Sequence, residues 1–151
     1  MTASGTELTV RPLLPDEAEL ASTCERVSLG SEAWTADGIR DTMKLNGHYF
    51  VAYLSNEFVG HAGFTAVLDE GYITNVAVLP QFRRNGAASA LTKALIEKAK
   101  ELKLSFLTLE VRESNSAAVS LYEKHGFKTA GKRKRFYSNP TEDARIMTLN
   151  F

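Results

Sequence analysis

A strand followed by a short loop and a long helix is the feature that most constrains the fold of this chain. The segment 74–79 (TNVAVL) is rich in small and β-branched residues, which is typical of a strand. Pro80 ends the strand because proline lacks an amide donor. The segment 87–102 then has the periodicity of a helix, with one apolar face formed by Ala88, Leu91, Leu95, Ala99 and Leu102.

The loop between these elements contains Arg83, Arg84 and Gly86, a composition suited to binding an anion. The first amides of a helix have no intrahelical acceptor, and the helix dipole favours negative charge there. Arginines can donate paired hydrogen bonds to a phosphate. The loop matches neither the Walker motif G-x-x-x-x-G-K-[ST] nor the dinucleotide motif G-x-G-x-x-G. These residues alone leave two alternatives open, a phosphate-binding loop and a plain connection with solvated arginines.

Length and composition favour a single globular domain over residues 1–151. A chain of 151 residues can bury a substantial core, and 44% hydrophobic with 24% charged residues is ordinary for globular proteins. The 18 basic and 18 acidic side chains balance, which argues against broad nucleic-acid or anionic-membrane binding. Cys24 is the only cysteine, so no internal disulfide is expected. No membrane span or signal peptide is indicated, and we expect a cytoplasmic protein.

The hydrophobic pattern predicts a mixed α/β fold after a disordered lead-in at residues 1–5. Predicted strands lie at 8–13, 48–54, 58–67, 71–79, 104–111, 127–131 and 145–149. Predicted helices lie at 15–29 (apolar positions Ala18, Ala21 and Val27), 35–45 (capped by Thr35), 87–102 and 117–125 (capped by Ser114 or Asn115, with Gly126 after its end). Because a helix joins strands 71–79 and 104–111, we expect these two strands to be parallel neighbours.

Glu110 and Tyr122 are the candidates for acid–base chemistry. Taken singly, a carboxylate near a strand end is usually solvated and a tyrosine on a short helix usually packs in a core. Ligands of open α/β sheets, however, bind at the carboxyl ends of the strands, where the loop near Gly86 and Glu110 both lie.

The remaining motifs give weaker indications of function. His48, His61 and His125 are scattered without metal-binding spacing, so we predict no metal site. No G-x-S-x-G elbow or supported Cys/His pair indicates a covalent nucleophile. The basic run 132–135 (KRKR) would alternate faces in a strand; a solvated sheet edge and a surface for an acidic or RNA-rich partner both remain open.

Two segments match motifs of known proteins. Residues 83–88 (RRNGAA) fit Q/R-x-x-G-x-G/A, and residues 109–127 (LEVRESNSAAVSLYEKHGF) are close to L-E-V-R-x-S-N-x-x-A-x-x-L-Y-x-x-x-G-F. The chain thereby resembles the GNAT superfamily of N-acetyltransferases, and within it the RimI-type bacterial ribosomal-protein N-terminal alanine acetyltransferases. Further support comes from 32–35 (EAWT), 135–137 (RFY) and 142–147 (EDARIM), so the resemblance spans almost the whole chain.

The resemblance implies a GNAT fold, with a central mixed sheet flanked by helices, and acetyl-CoA as co-substrate without a metal. The pyrophosphate of acetyl-CoA would be held by the loop residues Arg84, Asn85, Gly86, Ala87, Ala88 and Ser89. The pantetheine arm would pair with the backbone of Val76, Ala77 and Val78, and Asn115 would also contact the co-substrate. Asn85 replaces a commonly basic residue and Ala88 a common glycine, which bears on affinity for the co-substrate.

By position, the resemblance gives Glu110 the role of general base and Tyr122 that of general acid, and places Trp34 and Tyr137 at the acceptor-peptide site. An α-amine, with a pKa near ~8, is easier to deprotonate than lysine at ~10.4. A carboxylate with an ordinary pKa of ~4.3 is a weak base, so Glu110 needs a raised pKa or a water relay. Tyr122, ordinarily near ~10, is first a hydrogen-bond donor to the leaving sulfur.

The expected activity is acetyl transfer to a protein N-terminal α-amine, with a ribosomal protein as acceptor and a monomer or weak dimer as the assembly. An acetyltransferase for small-molecule amines or lysine is one alternative, because acceptor pockets vary more than the CoA-binding half. A non-catalytic acyl-CoA-binding module is another, and the presence of both Glu110 and Tyr122 argues against it.

Overall fold

The structure is a computed structural model that describes residues 7–29, 33–83 and 85–151. The predicted lead-in at residues 1–5 and Arg84 lie outside the described residues. The described residues form seven strands: β1 (Leu8–Pro12), β2 (Gly47–Leu54), β3 (Glu57–Val67), β4 (Glu70–Val78), β5 (Phe106–Arg112), β6 (Lys128–Tyr137) and β7 (Glu142–Asn150). The helices are α1 (Ala18–Leu29), α2 (Ala36–Leu45), α3 (Ala87–Glu101) and α4 (Ser116–Lys124), with 3-10 turns at Pro15–Glu17 and Pro80–Phe82.

The strands form one mixed sheet in the order β1-β2-β3-β4-β5-β7-β6. Neighbouring strands are antiparallel except β4 and β5, which are parallel as predicted. The predicted mixed α/β fold is therefore confirmed. Within the described ranges, no helix combines the length and the apolar character needed to cross a membrane.

Helices cover both faces of the sheet. Successive side chains of a strand point to opposite faces, so each face has apolar side chains against which helices can pack. His61 of β3 turns towards Glu25 on α1, whereas the next residue, Ala62, belongs to the core beneath α3 and α4. That larger core includes Phe64, Leu91, Leu95, Leu107 and Met147. A smaller core beneath α1 and α2 contains Leu13, Ala18, Ala21, Ile39, Tyr49 and Val51.

The predicted helix ends are supported by their caps. Thr35 accepts a hydrogen bond from the amide of Gly38 at 3.0 Å, as an N-cap should. Asn115, one of the two candidate caps for α4, accepts from the amide of Ala118 at 3.1 Å. Gly126 has a φ of 96° and follows the end of that helix, where a left-handed residue is favourable.

The structure corrects the predicted helix faces. Leu102 follows the end of α3 and is 38% exposed, while Ala87 and Thr92 are buried in that helix instead. On α1, Val27 is 57% exposed, and the buried positions beyond Ala18 and Ala21 include Cys24 and the polar residues Ser22 and Glu25. Hydrophobic periodicity missed Glu25 because a carboxylate normally indicates the solvent face.

The predicted ends of the last strands are also corrected. β6 continues through the basic run to Tyr137, and β7 begins at Glu142 rather than at 145. β6 is an edge strand of the sheet and is exposed along nearly its whole length. An edge strand without a buried face lacks the apolar alternation on which a strand prediction depends.

A buried polar contact joins β3, α1 and the segment before α2. Nε2 of His61 lies 2.8 Å from Oε2 of Glu25, and both side chains are at most 1% exposed. The other carboxylate oxygen of Glu25 accepts a hydrogen bond from the backbone amide of Trp34 at 2.7 Å. The His61 contact is not aligned as a hydrogen bond, and Nδ1 of His61 has no hydrogen-bond partner among the described residues. Glu25 therefore holds together three parts of the fold.

We predict that Glu25→Ala lowers the free energy of unfolding by on the order of 3 kcal/mol, because it removes the acceptor of the Trp34 amide and the buried carboxylate that lies against the imidazole of His61. Urea denaturation measures the change. The control is Glu101→Ala, which removes an exposed ion pair with Lys98 on α3 and should cost less than about 0.5 kcal/mol. Equal losses in the two variants would contradict the structural role of Glu25.

Candidate functional site

The site begins where β4 and β5 separate. The two strands pair only between Glu70–Tyr72 and Phe106–Thr108. Beyond these residues the strands diverge, and a cleft of about 1000 Å³ lies between them. Six of the residues predicted for the site line this cleft: Trp34, Val76, Glu110, Asn115, Tyr122 and Tyr137.

The backbone of β4 presents polar groups to this cleft. The amide of Leu79 donates to the carbonyl of Val59 in β3 at 2.9 Å. Because hydrogen bonding alternates along an antiparallel pair, the N–H and C=O of Ala77 also face β3. Those of Val76 and Val78 face the opposite side, towards the gap. Of the three predicted backbone positions, Ala77 is therefore engaged within the sheet.

The loop before α3 is open at its glycine. Gly86 is the N-cap of α3 and has a φ of 81°, a left-handed conformation that suits glycine. A Cβ added at this position would meet no atom within 4 Å, so the backbone there can be approached closely. Gly86 has no side chain to cap the helix, and the amides of Ala87, Ala88 and Ser89 have no intrahelical acceptor. Such a turn can hold a phosphate group.

Two side chains that precede the glycine hold the loop. Arg83 donates through Nε to the carbonyl of Val78 at 3.4 Å, and Asn85 donates to the carbonyl of Phe82 at 3.2 Å. Asn85 is thus used to hold the loop, although its side chain remains exposed.

Ser89 connects the loop to α4. Its Oγ lies 2.8 Å from Nε2 of His125, the C-cap of α4. Partial burial, with Lys124 and Lys93 nearby, lowers the pKa of His125. A neutral imidazole can accept a hydrogen bond from the hydroxyl of Ser89. The start of α3 is therefore tied to the helix that carries Tyr122.

Glu110 stands on the wall of the cleft with its side chain 34% exposed. Its Oε2 lies 3.1 Å from Nε of Arg133, which belongs to the basic run. Lys132, the preceding residue, lies instead 3.7 Å from Glu113. Lys132 and Arg133 therefore lie on opposite faces of β6, as predicted for a strand. Sequence reasoning missed that Arg133 reaches Glu110; the alternation was the signal that could have suggested it.

Tyr122 is buried, with 7% of its surface exposed, at the inner part of the cleft. Burial raises the pKa of its phenol, and Tyr137 adds to the effect. The ring packs against Phe127 in an edge-on arrangement, with centroids 5.5 Å apart. A phenol with a raised pKa is a poor proton donor in full transfer, but it can still donate a hydrogen bond.

Asn115 and the two aromatic residues complete the walls. The side-chain oxygen of Asn115 is engaged in the α4 cap, so its NH₂ is the side-chain group that can donate to a ligand. Trp34 is held through its backbone, since its carbonyl also accepts from Ser22 Oγ at 2.8 Å. Tyr137 lies under the guanidinium of Arg112, which is 4.5 Å from its ring centroid.

The sequence predicts no metal site. Over 7–29, 33–83 and 85–151 there is no group of three His, Cys, Asp or Glu side chains arranged to hold a metal ion. Among the polar groups that line the cleft are the carboxylate of Glu110, the phenol of Tyr122 and the carboxamide of Asn115, a set that suits direct acyl transfer.

Comparison with known proteins decides the family. The Acetyltransferase (GNAT) family matches residues 14–127. The chain belongs to the GNAT acetyltransferase family. This confirms the resemblance drawn from residues 83–88 and 109–127, and with it the prediction of an acyltransferase.

Similar proteins carry more specific names. The [ribosomal protein bS18]-alanine N-acetyltransferase of Escherichia coli K12 is 44% identical over 85 residues, which are 55% of this chain and 57% of that protein. A Bacillus subtilis protein, provisionally given the same name, is 36% identical over 121 residues, or 78% of this chain and 80% of its own length.

Solved structures agree in fold. The crystal structure of the ribosomal-protein-S18-alanine N-acetyltransferase from Escherichia coli has a TM-score of 0.86 at 30% identity, covering 95% of this chain and 94% of that one. Ard1 from Thermoplasma volcanium has a TM-score of 0.84 at 27% identity, covering 95% and 97% of the two chains.

The raised pKa of Tyr122 gives a prediction for alkaline stability. Above pH ~10 the unfolded chain releases this phenolic proton while the folded protein retains it, so stability falls as pH rises. Above pH ~10, the free energy of unfolding of the wild type should fall by up to about 1.4 kcal/mol per pH unit more than that of Tyr122→Phe. Urea denaturation from pH 8 to about 11 measures this difference, because the other tyrosines are common to both proteins. If the unfolding free energies of the two proteins changed in parallel with pH, the raised pKa of Tyr122 would be contradicted.

Proposed function

We propose that this enzyme transfers the acetyl group of acetyl-CoA to the N-terminal α-amine of a protein, with the N-terminal alanine of a ribosomal protein as its acceptor. The observation that carries this proposal is that Glu110 and Tyr122 line the same cleft between β4 and β5. The names of the Escherichia coli and Bacillus subtilis relatives support the acceptor. An acceptor on the ribosome agrees with the expected cytoplasmic location.

The residues present fit acetyl-CoA. The open glycine turn at Gly86 and the amides after it would take the pyrophosphate, with Ser89 at the same helix end. The backbone of Val76, which faces the gap, would pair with the amide groups of the pantetheine arm. The NH₂ of Asn115 would donate to the same arm. Acetyl-CoA supplies a thioester carbonyl as the electrophile.

The proposed reaction is direct transfer. The acceptor nitrogen forms a bond to the acetyl carbon, the carbon–sulfur bond breaks, and the amine gives up one proton. Glu110 accepts that proton directly or through a water. Tyr122 donates a hydrogen bond to the leaving sulfur, which takes its proton from solvent.

The chemistry of the amine favours an N-terminus as acceptor. Its ordinary pKa of ~8 is about 2.4 units below that of lysine, so deprotonation is easier by about 3.3 kcal/mol. Trp34 and Tyr137 would flank the incoming peptide on the walls of the cleft.

Mass spectrometry tests the proposal. The protein is incubated with acetyl-CoA and a panel containing alanine-initiated peptides with an internal lysine, polyamines and aminoglycosides. We expect the acetyl group on the α-nitrogen of the peptides. Modification only of lysine side chains or of the small amines would favour the alternative acceptor class, and no transfer with intact CoA binding would favour a binding module.

Substitution of the two proposed catalytic residues should separate chemistry from binding. Glu110→Gln and Tyr122→Phe should each lower kcat on the order of 100-fold, because a proton acceptor or a hydrogen-bond donor is lost. Calorimetry should show nearly unchanged acetyl-CoA affinity. Glu113→Gln is the matched control, since Glu113 pairs with Arg145 and does not line the cleft. Wild-type turnover in both variants would remove the assigned roles.

The glycine turn makes a separate prediction. Alanine at Gly86 is strained at a φ of 81°, by about 1–2 kcal/mol, and the loop would relax away from the conformation that offers its amides. Gly86→Ala should therefore bind acetyl-CoA roughly tenfold more weakly by calorimetry. Gly131→Ala in β6 is the control, because its added Cβ would make an ordinary 3.7 Å contact with Ile146. Unchanged affinity at Gly86 would place the pyrophosphate elsewhere.

A further inference from the structure

Arg133 and Glu110 are in contact although two strand spacings separate them. Glu110 lies opposite Ile146 in β7, and Ile146 lies opposite Gly131 in β6. Arg133 is two residues further along β6, so its side chain is on the same face as that of Glu110. It reaches back across β7, and its Nε lies 3.1 Å from Oε2 of Glu110.

Arg133 is held loosely. Its side chain is 58% exposed, and its guanidinium carbon lies 5.8 Å from the ring centroid of Phe136. Exposed ion pairs of this kind contribute little to stability. The contact between Arg133 and Glu110 therefore has more consequence for the charge of the cleft than for the folding of the protein.

The charged and titratable groups around Glu110 come from every neighbouring element. They are Arg112 on β5, Glu142 on β7, Arg133 and Tyr137 on β6, Tyr122 on α4 and Tyr72 on β4. Arg112 is itself 3.2 Å from Glu142. Arg133 is thus the cation that balances the carboxylate of Glu110.

This balance matters for an amine acceptor. At neutral pH an α-amine with a pKa near ~8 is mostly the ammonium ion, which has no lone pair and cannot attack a thioester. An unbalanced carboxylate would attract the ammonium and stabilise it in the charged form. A carboxylate already paired with a guanidinium exerts less of this attraction.

We propose that Arg133 is a positioning and specificity-determining residue that, by occupying one oxygen of Glu110, reduces binding of the acceptor as an unreactive ammonium and favours the neutral amine. The inference rests on the proposed function and deepens it. It assigns to Arg133 alone, within the basic run, a role in selecting α-amines over the more basic lysine side chain. The acceptor would approach Glu110 from the cleft while Arg133 stays in place.

The test measures binding and pH dependence in Arg133→Gln. With CoA present, calorimetry at pH 6 compares an alanine-initiated peptide, there almost entirely ammonium, with the same peptide lacking the amino group. Arg133→Gln should bind the ammonium peptide roughly fivefold more tightly than wild type and the neutral analogue equally. The pH at which kcat reaches half its maximum should rise, because the bound amine is held protonated more strongly.

Two variants serve as controls. Arg133→Lys retains the positive charge and should keep the wild-type preference and pH profile, whereas a purely packing role of the guanidinium would not be rescued. Lys132→Gln removes the same charge from the opposite face of β6, where it contacts Glu113, and should change neither measurement.

The inference is overturned if Arg133→Gln has the wild-type ratio of affinities for the ammonium peptide and its neutral analogue and the wild-type pH at half-maximal kcat. It is also overturned if the substitution weakens binding of both peptides equally. A fall in the pH at half-maximal kcat would overturn it too, because Glu110 would then only have become a stronger base. These outcomes differ from failure of the proposed function. If wild type acetylates peptides but Arg133→Gln is unaltered, only the role of Arg133 fails. If wild type neither binds nor acetylates any peptide, the proposed function fails and the inference falls with it.

Discussion

The separation of β4 from β5 governs the geometry of the rest of the site. β5 pairs with β7 along its whole length, from Phe106 to Arg112, whereas its pairing with β4 stops after three residues. β4 in turn follows β3, and their register shifts at Gly63. A bulge increases the local twist and bends the strand. Each strand thus stays with its antiparallel partner, and the weaker parallel contact opens between them.

The separation of β4 and β5 determines where the candidate site residues lie. Because of the gap, β5 does not pair with the backbone of Val76 and Val78. These two residues lie at the end of β4, just before the loop that contains Gly86. The same divergence exposes Glu110 on β5 and gives space for α4, which brings Tyr122 and Asn115 to the opening. The loop and the catalytic candidates are distant in sequence but are joined by the contact between Ser89 and His125.

Two polar contacts around the cleft differ in their physical character. Glu25 and His61 are buried, and Glu25 accepts a hydrogen bond from the backbone amide of Trp34 on one wall of the cleft. The side chains of Glu110 and Arg133 are 34% and 58% exposed, so water screens their attraction. One contact lies within the core, and the other lies at the solvent-facing side of the cleft.

Much of the fold could be predicted because the information is local. The spacing of Leu91, Leu95 and Ala99 predicts a buried helix face, and Thr35 and Asn115 cap helices as their chemistry suggests. The errors have a common cause. Val27 fits a helical pattern but is exposed, Glu25 breaks the pattern but is buried, and β6 has no buried face to produce a pattern. Burial at these positions depends on what packs against them.

The sequence by itself determined the family and the glycine turn before α3 and singled out Glu110 and Tyr122 as catalytic candidates, because these follow from motifs contained within short segments. Only the tertiary structure decided which of these residues share a cleft, that Ala77 bonds within the sheet, and that Arg133 lies on Glu110. The reason is physical: strand order and register bring together residues from β5, β6 and α4, and no local pattern specifies contacts across a neighbouring strand.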